Sequence, residues 1–160
     1  MEGEAAARGT AERIVADLQG RSFSIAAEHK SLYHASAVMA SGHLTALISA
    51  SIEALAACGL DKQQAQKILF PLISSTIENL SIQTPVDALT GTFSRADVET
   101  LKRHLESLRE NVSEEVLTIY RRLGLRSLDL ARQQGAGPEK IAEMKKLLTE
   151  NNEARREIGE

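Results

Sequence analysis

From Ser31 to Cys58 the sequence has no proline, and its apolar positions (Leu32, Val38, Met39, Leu47, Ile48, Ile52 and Leu55) sit among alanine, serine and glycine until Gly59 ends the run. Apolar residues at this spacing predict helix. Small side chains on more than one face let other helices come close all round. The run is therefore expected to be one long, largely buried helix that forms the axis of an all-α, multi-helix bundle.

The flanking segments repeat the helical pattern. Ala7, Ala11, Ile14, Val15 and Leu18 predict an amphipathic helix over 4–18 that Gln19 and Gly20 close. Asp61, with Gln64 three residues on, is the pattern of a capping box, and it opens a helix bearing Ala65, Ile68, Leu69, Leu72, Ile73, Ile77 and Leu80, in which Pro71 predicts a kink. Residues 81–96 lose the periodicity and form the longest irregular segment, with one helical turn at Pro85 to Leu89. Val98, Leu101, Leu105 and Leu108 mark another helix. Ser113 caps the next, through Val116, Leu117, Ile119, Tyr120 and Leu123, which Gly124 separates from 125–134. After Gly135 and Gly137, Pro138 suits the first position of a last helix with Ile141, Met144, Leu147 and Leu148, whose charged end over 151–160 is expected to fray.

One segment breaks the helical rule. In Arg21-Ser-Phe-Ser-Ile25 polar residues alternate with Phe23 and Ile25, the pattern of a β-strand. A lone strand leaves both edges unpaired, so this one is expected to complete a sheet supplied by an upstream segment.

Composition narrows the function. A chain of 160 residues suits one globular domain, and 42% hydrophobic with 26% charged residues is globular composition. Aromatics are 3% with no tryptophan, which leaves few stacking platforms for bases, and a net charge of -3 offers no basic field for phosphate backbones or anionic lipid. Nucleic acid and membrane are not expected partners. No run is expected to reach membrane-spanning length, and the first residues lack the pattern of a signal peptide. The single cysteine, Cys58, allows no internal disulfide and is expected to be a small buried hydrophobe in a cytoplasmic protein. The histidines, at 29, 34, 43 and 104, form no HExxH-like pair, so no metal site is expected, and neither GxGxxG nor GxxxxGK[ST] is present to cradle a phosphate.

Three constellations remain. In Glu28-His-Lys-Ser-Leu-Tyr-His34, Lys30 and His34 are four apart and share a helix face, either as proton-transfer groups in one cleft or as a helix start that solvates itself. In Ala40-Ser-Gly-His43, Gly42 costs helix stability and calls for a close approach by a ligand or by another helix. In Ala88-Leu-Thr-Gly-Thr-Phe-Ser-Arg-Ala-Asp97, a glycine, hydroxyls, an arginine and a helix start could hold a carboxylate or phosphate, unless Arg95 and Asp97 merely cap and pair with each other.

Lys30 to Gly42 and Ala88 to Asp97, with His104-Leu105 after them, resemble a family of bacterial proteins in which a Rossmann-like NADP-binding domain precedes a helical domain of unknown function. That family is similar to pyrroline-5-carboxylate reductase and, more distantly, to the 6-phosphogluconate dehydrogenase C-terminal-domain group. The resemblance implies that residues 1–25 are the closing helix and strand of a Rossmann-like domain and that 26–160 form a helical dimerisation and substrate domain. It implies NADP as the cofactor of the full-length family, with none expected for this chain alone, a homodimer, and a small carbonyl or imine substrate. Residue by residue, Lys30 and His34 become the proton-transfer candidates, Ser41 and Gly42 line the nicotinamide side, and Thr90, Gly91 and Arg95 contact substrate. The chain departs from the family at Gly42, commonly Asn there, and at Thr92 and Ala96, commonly Pro and Gly. Without a nucleotide-binding domain the chain is expected to be inactive as an oxidoreductase. The alternative expectation is a free-standing, non-catalytic helical dimerisation module.

Overall fold

The computed structural model describes residues 5–150. It is all-α: among the described residues helices α1 (Ala5–Asp17), α2 (Lys30–Ala40), α3 (Gly42–Ala57), α4 (Lys62–Ile82), α5 (Pro85–Ala88), α6 (Gly91–Ser94), α7 (Val98–Asn111), α8 (Glu114–Gln133) and α9 (Pro138–Thr149) follow one another, and there is no strand. The chain divides into two compact units, Met1–Ala46 and Leu47–Glu160.

In the first unit, α1 ends on a left-handed residue, Gln19 (φ 58), with the Gly20 amide reaching back to the Val15 carbonyl at 2.8 Å and the Gln19 amide to Ala16 at 2.9 Å. This is a Schellman closure, with the left-handed turn taken by Gln19 and not by the glycine. Residues 21–26 then run without regular structure, which corrects the strand expected at Arg21 to Ile25. The alternation there has no sheet to join, and Phe23 instead places its ring 5.5 Å from that of Tyr33 on α2. Glu2-Gly-Glu and the charged end at 151–160 lie outside the described residues.

The long helix expected over 31–58 is two helices, α2 and α3, broken at Ser41, whose backbone leaves helical values at φ -119 and ψ -69. Serine and glycine side by side are the weakest helix formers in that stretch, so the break falls where propensity is lowest. The expected burial is also absent: α2 has no buried residue, and α3 has Ala50 alone. The stretch Ala27–Ala57 is nevertheless long and apolar enough, by length and composition, to cross a membrane, which corrects the reading that no run reaches that length.

The second unit is built around α8. Helices α6, α7 and α9 all pack on α8, and α7 packs on α9. Leu101, Leu105, Leu117, Leu128, Met144 and Leu148 form the aliphatic core, with Phe93, Tyr120, Leu125 and Ile141 against it. The expected break at Gly124 does not occur. α8 passes through it because the missing side chain admits Leu148 of α9 and Phe93 of α6. The local caps are as the sequence predicts. Asp61 accepts from the amides of Gln63 and Gln64 while Gln64 reaches back to the Asp61 amide, Ser113 accepts from the Val116 amide, and Pro85 and Pro138 open α5 and α9. The irregular segment before α7 is tighter than expected. It holds two helical turns, α5 and α6, and the Gln134 side-chain amide donates to the carbonyls of Val86 (2.6 Å) and Leu89 (3.0 Å), tying α5 to the end of α8.

Candidate functional site

The residues singled out in the sequence fall into two groups. Lys30 opens α2 and His34 stands one turn further on, both exposed, with Ser41 at the helix break and Gly42 at the start of α3, all in the first unit. A side chain at Gly42 would meet only Val38 Cγ1, at an ordinary 3.7 Å, so no close packing demands glycine there. Thr90, Gly91 and Arg95 come together in the second unit as the two ends of the single turn α6. Thr90 precedes it, Gly91 begins it at φ 81, and the Arg95 amide closes it on the Gly91 carbonyl at 3.2 Å.

Arg95 edges an open cleft of about 440 Å³ that it shares with Asp97, Glu99, Lys140 and Glu143. Asp97 is committed to capping α7: one carboxylate oxygen accepts from the Thr100 amide at 3.0 Å and the other from the Thr100 hydroxyl at 2.8 Å. Those two bonds hold its pKa below the usual value for aspartate. Lys102 bridges Glu99 at 2.8 Å and Glu143 at 3.2 Å, and these hydrogen bonds raise its pKa. Among the described residues Arg95 and Asp97 form no ion pair, so the cap is made without the arginine.

A second site, which the sequence reading did not single out, lies along the second-unit part of α3 where it faces α7 and α8. It is a groove of about 670 Å³ whose lining includes Ser51, Ala54, Leu55, Cys58, Leu108 and Val112. Ser51, Ala54, Leu108 and Tyr120 continue into a smaller apolar recess of about 170 Å³ that reaches Phe93 and Gly124. At the junction His104 Nδ1 and the Tyr120 hydroxyl are 2.9 Å apart, with the rings edge to face. Burial pushes the Tyr120 phenol up to about 12. Glu53 Oε1 accepts from the Ser113 amide at 3.4 Å, linking α3 to the start of α8. Cys58 is exposed on the groove wall, which corrects its expected burial. His104 and Tyr120 are sixteen residues apart on separate helices, and no short motif joins them.

Among the described residues no group of three or more His, Cys, Asp or Glu side chains is arranged to hold a metal ion. The fold and these clefts define a helical domain. Residues 1–127 match the family described as Domain of unknown function (DUF2520), and the chain belongs to that family. No curated protein and no solved structure matches the chain.

Proposed function

We propose that this chain is the dimerisation and substrate domain of an NAD(P)-linked oxidoreductase, acting with a nucleotide-binding domain that holds the cofactor. The observation that carries the reading is the uncovered apolar surface of α4, which extends round more than one face of the helix. Within its unit and among the described residues, this 21-residue helix packs only against the single turn α5. Six large apolar side chains on it stand open: Ile68, Phe70, Leu72, Ile77, Leu80 and Ile82. Monomers rarely expose apolar surface on this scale, and a second copy meeting one face of α4 about a twofold axis covers that face on both chains.

In this reading Lys30 and His34 exchange protons with a small carbonyl or imine substrate, Ser41 and Gly42 face the nicotinamide, and Thr90, Gly91 and Arg95 hold the substrate. The paired substitution Phe70→Lys, Ile77→Lys tests the α4 contact, because the two positions are seven apart on one face and neither is buried. The variant is expected to remain helical by circular dichroism and to elute at the 17.4 kDa of one chain, half the mass of the parent dimer. An unchanged mass excludes the Phe70 and Ile77 face of α4 from the interface.

A further inference from the structure

We propose that the groove between α3 and helices α7 and α8 binds a small uncharged carbonyl compound, its oxygen accepting a hydrogen bond from the His104–Tyr120 pair and its apolar body lying on Leu55, Leu108 and Val112. The pair supplies a donor in either tautomer. If the Tyr120 hydroxyl donates to Nδ1, then Nε2 carries the remaining proton. If Nδ1 donates to the phenol oxygen, then the Tyr120 hydroxyl proton is free for another acceptor. Among the described residues the pair has no further hydrogen-bond partner, so one N–H or O–H stays uncommitted at the junction of groove and recess. His104 is exposed and Tyr120 half-buried, so a ligand oxygen that takes this hydrogen bond replaces water there.

Charge selects the ligand class. No Asp, Glu, Lys or Arg lines the groove. A carboxylate ligand would therefore give up its hydration with no cation to replace it, whereas a ketone or aldehyde oxygen gives up far less and still takes the donated proton. A groove of about 670 Å³ with apolar walls and a few convergent polar groups has the dimensions of a small-molecule site. The inference concerns binding in the second unit and stands apart from the oxidoreductase reading, since a monomer that binds the ketone sustains it.

The test is titration of the full chain with 4-methylpentan-2-one, with 4-methylpentanoate as the charged counterpart and 2-methylpentane as the counterpart lacking an acceptor. The readout is the imidazole ¹⁵N and ¹H resonances of His104. The ketone is expected to shift them saturably, in the millimolar range, and more than either counterpart. The paired variant His104→Phe, Tyr120→Phe, checked for native helicity and followed by the methyl resonances of the ketone, removes both candidate donors and is expected to weaken ketone binding about tenfold, the effect of one lost hydrogen bond. His104 resonances that ignore the ketone, or that respond as strongly to the carboxylate or the alkane, overturn the proposal. So does a folded variant lacking both donors with unaltered affinity.

Discussion

Gly124 of α8 lies against Leu148 of α9: a methyl group at Gly124 would stand 3.0 Å from Leu148 Cδ2 and 3.0 Å from Phe93 Cζ. Gly124→Ala would gain up to about 1 kcal/mol of helix propensity. Overpacking against a buried leucine costs about 1–3 kcal/mol. Because Leu148 is only 3% exposed and has little room to retreat, the second effect wins. Thermal unfolding is expected to show a lower melting temperature for Gly124→Ala. Gly9→Ala in α1, where a methyl group meets nothing within 4 Å, should show no loss. Matching losses at the two positions would mean that α8 and α9 are not packed as described.

Ala96 sits at φ 46, its amide bonded to the Phe93 carbonyl and the next amide, of Asp97, to Thr92, and it is only 3% exposed. Ala96→Gly relieves a left-handed backbone but removes a buried methyl group, and the two effects, each about 1 kcal/mol, nearly cancel. Ala96→Val adds both strain and volume and should cost upward of about 2 kcal/mol. Urea unfolding of the two variants measures the contrast, and a valine variant as stable as the glycine variant would contradict the left-handed assignment.

Tyr120 gives the protein an alkaline limit. Its folded-state pKa, raised to about 12 by burial, lies above the 10.0 of a solvated tyrosine, so the folded state retains the proton longer than the unfolded state does. The stability this provides is fully present below pH 10.0 and is lost as pH rises toward 12. Phenolate absorbance should show an ionisation near pH 12 that is missing in Tyr120→Phe, and the variant's melting temperature should fall less steeply between pH 10 and 12. An alkaline titration unchanged by the substitution would place Tyr120 in solvent.

NADP(H) is expected to bind this chain at best weakly, since no glycine-rich fingerprint is present to bring backbone amides onto a pyrophosphate. Calorimetric titration should give no affinity in the micromolar range. A micromolar dissociation constant would require a phosphate site outside any motif in the sequence.

The parts of the fold legible in the sequence were those decided locally. Asp61 with Gln64, Ser113, Pro85 and Pro138 set helix starts through bonds within one turn, and the structure places all of them as the sequence predicts. What was not legible depends on contacts across the chain. Gly124 looks like a helix stop until Leu148 and Phe93 are seen to fill the space beside it. The small-residue run 31–58 looks like a buried axis, yet α8 holds that place, because its buried face meets α6, α7 and α9 together. Arg21 to Ile25 alternates like a strand but has no partner, and alternation alone makes no ladder. The same reason hid His104 and Tyr120. Each reads as an ordinary helical position, and only the packing of α7 on α8 brings them within 2.9 Å.

The central claim is that a second copy of this chain covers exposed apolar surface of α4, and the solution mass tests it most directly. An interface of this kind belongs to the large apolar class, of about 2,000 Å² or more, which dilution does not separate without unfolding. Sedimentation equilibrium of the chain at low micromolar concentration should therefore return twice the 17.4 kDa of one copy, unchanged on further dilution. A single species at 17.4 kDa would contradict the account.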